Sequence, residues 1–315
     1  MILKRFKILQ FSLTRQGRFI RLKERLSLLT SKILKISLVK NFIPPRKFAS
    51  RKGDNGKVLV LGGSYIYHGA PILSSIAALR CGTDLVYTCV PKVNAQATRA
   101  ISPNLIVLPL ADAKLTRGAV HKLLGIIPKD LDSATIGMGL GIQDIEALKL
   151  LVKSLLDRGV RLSLDASALV PDILPVIKSR NVVVTPHAGE FKRLFGELPS
   201  DDKKKRVLLV EKHAKENSVT ILLKGPTDVV SDGNKTFLNV KNTPAMTVGG
   251  TGDVLSGLVA GMLSKNKNPE ESAAAAVFIN GKAGALAQRK YGLHMVATDL
   301  LEFIPAAMKP FDRVK

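Results

Sequence analysis

Short apolar runs rich in β-branched residues recur along the chain from Val58 onward, and segments with helical spacing separate them. Each run is nearly continuous rather than alternating, which is typical of strands buried on both faces of a parallel sheet. The predicted strands are VLVLGG (58–63), LVYTCV (85–90), LIVLPL (105–110), ATIGMG (134–139), VRLSLDA (160–166), NVVVTPH (181–187) and VTILLKG (219–225). Their alternation with helices indicates a layered α/β domain with a mostly parallel central sheet.

Apolar residues at a spacing of three and four predict the intervening helices. The clearest are APILSSIAALRCG (70–82), DIEALKLLVKSLLDRG (144–159) and KKRVLLVEKHAKEN (204–217). The segment DVVSDGNKTFLNV (228–240) differs, because two short runs flank Asp232-Gly233-Asn234. Such a sequence is the signal of a tight β-hairpin.

The start of the chain has a different composition. Residues 1–40 hold eleven Lys and Arg against one acid, Glu24. They lack the continuous apolar stretch of a secretory signal, although their Arg-rich, amphipathic character is also that of a transit peptide or a membrane-surface helix. We expect a poorly ordered basic extension over 1–43, a domain over 44–310 and a short tail over 311–315.

The overall charge and the cysteines limit the classes of partner. The formal net charge is +23, but the chain has no zinc-binding spacing, helix-turn-helix pattern or aromatic-interleaved strand, so we expect no specific nucleic-acid partner. No stretch reaches the roughly 18 apolar residues of a membrane span. Cys81 and Cys89 lie in apolar surroundings, which predicts reduced, buried thiols in a cytoplasmic protein.

The strongest chemical signal is TVGGTGDVLSG (247–257), where glycines precede an apolar helix. Unpaired N–H groups at a helix start bind anions, so Gly250, Thr251 and Gly252 predict an anion hole for phosphate. Asp253 is either the N-cap of this helix or a base that takes a proton from a hydroxyl attacking phosphorus. An N-cap needs only one residue, whereas each glycine costs about 1 kcal/mol of backbone entropy. The motif therefore favours the catalytic interpretation.

Four other motifs directly follow predicted strands. In open α/β sheets the carboxyl ends of the strands form the ligand-binding edge, so these motifs should meet there. The glycine loops match neither the dinucleotide-binding fingerprint nor the Walker motif, and the lysine and the histidine are each weak signals alone. The motifs are LLKGPTD (222–228), TPHAGEF (185–191), LGGSYIYHGAP (61–71) and IGMGLG (136–141). Together with the GGTGD motif they predict nucleotide chemistry.

These motifs, in this order, resemble the NAD(P)H-hydrate dehydratases of the ribokinase-like superfamily over about residues 44–308. The resemblance implies a three-layer α/β/α fold. It also implies a repair enzyme that removes water from hydrated NADH or NADPH with ADP or ATP as phosphate donor and with Mg²⁺. The donor would phosphorylate the ring hydroxyl, and phosphate would then leave as the double bond forms. TPH, where other relatives have TPN, resembles the branch that uses ADP.

The resemblance also assigns residues to sites. Asp253 is implied as the base, and the backbone of Gly250, Thr251 and Gly252 as the group that stabilises the transferred phosphoryl charge. The implied adenine-nucleotide site comprises Lys224, Gly225, Pro226, Thr227, Asp228 and Gly252. The implied site for the hydrated dinucleotide comprises Ala70, His187, Asp253 and a glycine of IGMGLG, Gly141 in preference to Gly139. Ser167 stands where relatives have an acid, so the metal ligands stay unassigned.

The resemblance further implies a homo-oligomer and a separate NAD(P)H-hydrate epimerase, since forty basic residues do not make the epimerase domain that many relatives carry. Two other functions remain open. One is a superfamily kinase of a vitamin precursor, hydroxymethylpyrimidine or hydroxyethylthiazole, which would share the GGTGD motif. The other is a non-catalytic protein that binds polyanions or membrane surfaces on an inactive kinase-like fold. TPHAGEF together with YHGAP favours the dehydratase.

Overall fold

A ten-stranded sheet forms the centre of the computed structural model, which describes residues 31–240 and 242–315. The strands are β1 (Lys32–Ile33), β2 (Lys57–Leu61), β3 (Leu85–Pro91), β4 (Ile106–Leu110), β5 (Ser133–Ile136), β6 (Arg161–Leu164), β7 (Val182–Val184), β8 (Thr220–Leu223), β9 (Asp228–Ser231) and β10 (Thr236–Asn239). They are ordered β1-β10-β9-β8-β7-β6-β5-β2-β3-β4, and only the β8–β9 and β9–β10 pairs are antiparallel. The mostly parallel sheet confirms the predicted fold class, each apolar run contains a strand, and the hairpin is β9–β10.

Helices cover both faces of this sheet. They are α1 (Ile36–Phe42), α2 (Ala70–Arg80), α3 (Ala95–Ile101), α4 (Arg117–Ile126), α5 (Ile145–Asp157), α6 (Leu174–Ile177), α7 (Ala188–Phe195), α8 (Lys203–Asn217), α9 (Thr251–Lys265), α10 (Pro269–Tyr291) and α11 (Ala297–Met308). In the described part of the chain, none of them is both long and apolar enough to cross a bilayer.

Successive residues of one strand pack against opposite helical layers. In β2, Leu59 and Leu61 belong to the core that includes α4, α5, α7 and α8, whereas Val58 and Val60 contact α2 and α9. All four side chains are fully buried. Burial on both faces is the reason that the strand sequences are continuously apolar rather than alternating.

Helices α2 and α9 pack unusually closely because α9 has glycines in the contact. A Cβ atom on Gly257 would lie 1.9 Å from the carbonyl oxygen of Ser74, and one on Gly261 would lie 3.4 Å from the Cα of Ala78. The two contacts advance in the same direction along both helices, so the helices are parallel. Both therefore begin at the same edge of the sheet.

This packing fixes the position of Asp253. Asp253 precedes Gly257 by four residues and thus lies on the same face of α9, one turn nearer the helix start. Because Gly257 contacts Ser74, Asp253 lies beside the first turn of α2, where Ala70 begins the helix.

Residues 31–43 of the predicted N-terminal extension and the predicted tail both contribute contacts to the fold. β1 pairs with β10, and Phe42 of α1 is buried with its ring 5.3 Å from that of Phe237. At the other end Phe311 is buried in the same core, and Val314 bridges to Arg46. The domain boundaries thus differ from those predicted, because a two-residue strand and a seven-residue helix are too short to show periodicity. The rest of the predicted extension, 1–30, lies outside the described residues.

We expect Gly257→Ala to lower the free energy of unfolding by about 1–3 kcal/mol, because its methyl group has no room against the α2 backbone. The matched control is Gly125→Ala in α4, where nothing lies within 4 Å of the added Cβ and the helix should gain about 0.5–1 kcal/mol. Urea unfolding of both variants measures the difference. Equal stabilities would contradict the close α2–α9 contact.

Candidate active site

The glycine motif forms the start of α9. Gly250 is the N-cap, with φ of 95°, a conformation that favours glycine, and no side chain caps the helix. The N–H groups of Thr251, Gly252 and Asp253 precede the first hydrogen bond of the helix, from Val254 to Gly250. Asp253 is the third helical residue, which excludes its interpretation as the N-cap. The helix start is therefore available to an anion.

A buried lysine lies against this helix start between two carboxylates. Lys224 Nζ is 3.0 Å from Asp165 Oδ1 and 3.5 Å from Glu190 Oε2. The side chains of Asp165 and Glu190 are 3% and 10% exposed, and that of Lys224 is 19% exposed. A Cβ on Gly252 would lie 3.5 Å from the same Nζ atom. We call Lys224, Asp165, Glu190 and Asp253 the Lys224 cluster.

The Lys224 cluster shifts the acidity of Asp253. Burial raises the pKa of Asp253 to about 6, the negative charges of Asp165 and Glu190 also raise it, and Lys224 opposes the rise. Burial acts to lower the pKa of Lys224, but its two carboxylate partners outweigh burial and raise it above the ordinary value. At neutral pH, Asp253 is therefore ionised and more basic than an ordinary aspartate, and Lys224 is charged. These are the properties of a general base beside a phosphate-binding cation.

Hydrogen bonds hold the loops that carry the Lys224 cluster. His187 is the N-cap of α7, where its Nδ1 accepts from the N–H groups of Gly189 and Glu190 at 3.0 and 3.2 Å. In return, Glu190 Oε2 accepts from the His187 N–H at 2.9 Å, which completes a capping box. The Lys224 N–H donates to Pro186 O at 2.9 Å. This hydrogen bond joins the loop that begins with Lys224 and Gly225, the KG loop, to the loop of residues 185–187, the TPH loop. The Thr185 hydroxyl donates to Asp165 at 2.9 Å.

A cavity of about 620 Å³ opens beside the start of α9. This volume is in the range of small-molecule sites, about 300–1,000 Å³. Five of the six residues of the predicted nucleotide site line this cavity: Lys224, Gly225, Pro226, Asp228 and Gly252. His187 and Thr251 also line it. Thr227 lies in the same turn but is not part of the cavity wall. The structure thus brings the KG loop and the helix start together around one space.

Asp228 shapes this cavity through hydrogen bonds rather than by presenting a charge. Its carboxylate accepts from the Gly225 N–H at 2.9 Å and from the side-chain amides of Asn239 and Asn242 at 3.0 and 2.7 Å. Burial raises the pKa of Asp228 above its ordinary value, against the effect of these hydrogen bonds and of Arg206. Asp228 therefore holds the KGPTD turn in shape.

Sequence reasoning missed several residues of the site. Asp165 and Glu190 lie within the DAS and TPHAGEF segments, but only the order of the strands brings them to Lys224. Arg206 was also missed, although its guanidinium donates to Lys224 O at 2.7 Å. A Cβ at Gly225 would lie 2.4 Å from the same guanidinium, so a larger residue there would have to displace the Arg206 side chain. The sequence carries no signal for this contact, because the burial of Arg206 depends on how α8 packs against the loop.

The residues predicted to bind the hydrated dinucleotide do not all lie together, and His187 lines the donor cavity instead. A Cβ on Gly139 would lie 3.3 Å from the Cβ of Ala70 and 2.6 Å from that of Tyr67, so Gly139 and Ala70 are neighbours. Gly141 instead accepts a backbone hydrogen bond from Leu115 at 2.7 Å, away from this contact. The structure therefore brings Gly139, rather than the preferred Gly141, to the start of α2.

The donor set also bears on the magnesium ion that the resemblance implies. Mg²⁺ usually takes one or two carboxylates, several waters and the phosphate oxygens of its substrate. Asp165 and Glu190 provide two carboxylates that contact Lys224 of the cavity wall, and this number fits that requirement. Within 31–240 and 242–315, no group of three or more His, Cys, Asp and Glu residues is arranged to hold an ion by itself.

Comparison with known proteins gives consistent similarities. A family model described as NAD(P)H-hydrate dehydratase matches residues 58–306. The chain is 69% identical over 283 residues to the ADP-dependent (S)-NAD(P)H-hydrate dehydratase of Nitrosopumilus maritimus, covering 90% of this chain and 99% of that protein. It is 43% identical over 268 residues to a bifunctional NAD(P)H-hydrate repair enzyme of Pyrobaculum aerophilum, covering 84% of this chain and 53% of that enzyme.

Among solved structures, the chain is similar to the ADP/ATP-dependent NAD(P)H-hydrate dehydratase of Bacillus subtilis co-crystallised with ATP and Mg²⁺. The TM-score is 0.76 at 26% identity, and the match covers 90% of this chain and 99% of that one. A hydroxyethylthiazole kinase from Pyrococcus horikoshii shares the fold with a TM-score of 0.59 at 16% identity, covering 87% of this chain and 95% of the kinase.

The raised pKa of Asp253 predicts a stability cost with a defined pH dependence. The pKa of Asp253 rises on folding from 3.8 to about 6. Above pH 6 the carboxylate is ionised and its burial destabilises the folded state, whereas below pH 4 it is protonated in both states and has no such effect. Asp253→Asn should therefore raise the free energy of unfolding by about 1–3 kcal/mol at pH 8 and leave it unchanged near pH 4. Urea unfolding at both pH values measures this, with the exposed Asp172→Asn as control. A destabilised variant at pH 8 would contradict the assignment.

Proposed function

The chain belongs to the NAD(P)H-hydrate dehydratases, and we propose that it converts the hydrates of NADH and NADPH back to NADH and NADPH with ADP as the preferred phosphate donor. We propose ADP rather than ATP because two relatives that match the chain almost end to end, with 69% and 65% identity, are called ADP-dependent (S)-NAD(P)H-hydrate dehydratases. The observation that carries the proposal is the position of Asp253. It directly follows Gly252 of the cavity wall in the first turn of α9, its charge interacts with that of Lys224, and its pKa is about 6.

In the proposed reaction, the nucleotide occupies the 620 Å³ cavity with its phosphates toward the start of α9. The hydrated nicotinamide ring lies on the other side of Asp253, near Ala70 and Gly139. Asp253 takes the proton of the ring hydroxyl while the hydroxyl oxygen attacks the terminal phosphorus of the donor. The N–H groups of Thr251 and Gly252 and the Lys224 ammonium stabilise the charge of the transferred phosphoryl group. The C–O bond then breaks and phosphate leaves with its electron pair, while the neighbouring ring carbon releases a proton to water and the C=C double bond forms. ADP is converted to AMP, and the oxygen of the removed water ends in phosphate.

We propose that Asp165 and Glu190 hold the Mg²⁺ ion that accompanies the nucleotide, since both contact Lys224 of the cavity wall, whereas the carboxylate of Asp228 is used within the KGPTD turn. Bound there, the ion would neutralise phosphate charge. The epimerase that supplies the reactive form of the hydrate is proposed as a separate polypeptide, and the enzyme as a homo-oligomer. The bifunctional relatives are about twice as long as the aligned segment. We place the reaction in the cytoplasm, since the two buried free thiols, Cys81 and Cys89, suit a reducing compartment.

The proposed function is tested by adding ADP or ATP to the purified protein with each hydrate and following the return of the near-ultraviolet absorbance of the reduced nicotinamide. We expect recovery with a rate that falls below about pH 6 as Asp253 is protonated. Asp253→Asn should lower kcat by about 10²-fold or more without loss of folding, and Asp172→Asn should not. A stable phosphorylated alcohol without recovery of NADH would instead indicate a kinase.

Lys224 is proposed both to bind the donor phosphates and to lower the pKa of Asp253, and one variant tests both roles. Lys224→Met keeps the length of the side chain but removes its charge, so we expect the KM for ADP to rise about tenfold or more. Because Lys224 lowers the pKa of Asp253, the acid limb of the pH–rate profile should also move to higher pH. Lys192→Met, on the exposed side of α7, is the control. An unchanged KM together with an unchanged acid limb would exclude Lys224 from the donor site.

A further inference from the structure

One polar side chain in the wall of the donor cavity has no part in the mechanism above. Asn280 lies in the middle of α10, is 5% exposed and lines the cavity. Its Oδ1 atom is buried and has no hydrogen-bond partner among the described residues. Buried side-chain acceptors are nearly always satisfied in folded proteins, so an unpaired one beside a ligand cavity points to a partner that the ligand supplies.

Contacts of α10 show which parts of the cavity wall lie beside Asn280. One turn before it on α10, the side chain of Asn239 donates to Val277 O at 3.3 Å. One turn after it, a Cβ on Gly284 would lie 2.3 Å from the sulfur of Met246, so Met246 packs against the same face of α10. Lys224 and the start of α9, which the proposed function assigns to the phosphates, line the same cavity.

The walls of the cavity are suited to a flat heterocycle. Leu255, Pro244 and Met246 line the cavity with Asn280 and give it apolar sides. A carboxamide in such a place offers an acceptor and donors in one plane, which matches the edge of adenine, where an amino group adjoins a ring nitrogen. Oδ1 accepts no hydrogen bond from the described residues, so the carboxamide can rotate about χ2 toward a ligand without losing a hydrogen bond of that atom.

We propose that Asn280 is a specificity-determining residue that accepts a hydrogen bond from the exocyclic amino group of the adenine base of the donor. The inference rests on the proposed function only in taking this cavity as the nucleotide site. It explains an oxygen that the fold leaves unpaired, and it assigns to the chain the group that recognises the base, whereas Lys224 and α9 recognise the phosphates.

The test is a two-by-two comparison of binding by calorimetry, without the hydrate. The two ligands are ADP and purine riboside 5′-diphosphate, which lacks the amino group, and the two proteins are the wild type and Asn280→Leu. The wild type should bind ADP about tenfold or more tightly than the analogue, and the variant should bind both alike, with an affinity close to that of the wild type for the analogue. Leucine has nearly the size of asparagine, and the exposed Asn104→Leu is the control.

Two results would overturn the inference. The first is equal binding of ADP and the analogue by the wild type, which needs no variant to be folded. The second is an equal loss of affinity for both ligands in Asn280→Leu, which would make Asn280 a structural residue. A wild type that discriminates between the two ligands but does not dehydrate the hydrates would refute the proposed function and leave the inference standing.

Discussion

The ammonium group of Lys224, held between the buried carboxylates of Asp165 and Glu190, is the interaction on which the site depends. A buried charge is tolerated only when it is paired and hydrogen-bonded, and here one lysine faces three carboxylates once Asp253 is included. The excess of negative charge adds to burial in keeping Asp253 basic, and Lys224 limits the rise to a pKa of about 6. The same lysine points to the helix start where phosphate would bind. One ion pair thus links the acidity of the base to the binding of the donor.

The sheet makes this cluster possible because β6, β7 and β8 are neighbours. Asp165 follows β6 directly, Glu190 is in the first turn of the helix after β7, and Lys224 follows β8. Adjacent parallel strands lie about 4.8 Å apart and end at one edge, so one charged residue from each meets the other two. The fourth member comes from α9, whose position is set by its close contact with α2.

This geometry explains what the sequence could and could not predict. Continuous apolar runs identify strands, and glycine-rich or charged segments after them identify the functional edge, because both signals are local. The pairing of Asp165 and Glu190 with Lys224 depends on strand order, which is not local. The motif KGPTD likewise indicates a nucleotide loop, but only the contacts show that Asp228 supports the turn from within. The proximity of Gly139 to Ala70 also becomes visible only when two loops from different strands pack together.

Two polar groups of the candidate site are in environments that are unfavourable for the folded chain alone. Asp253 has a carboxylate whose ionised form burial disfavours, and Asn280 has a buried oxygen without a hydrogen bond. Each lowers the stability of the fold, and each has a proposed partner in a ligand, the ring hydroxyl for Asp253 and the base of the donor for Asn280. A core optimised for stability alone would have satisfied or replaced both. Since the rigid contact at Gly257 holds α9 in place regardless of the charge on Asp253, the fold can retain these groups for ligands that satisfy them.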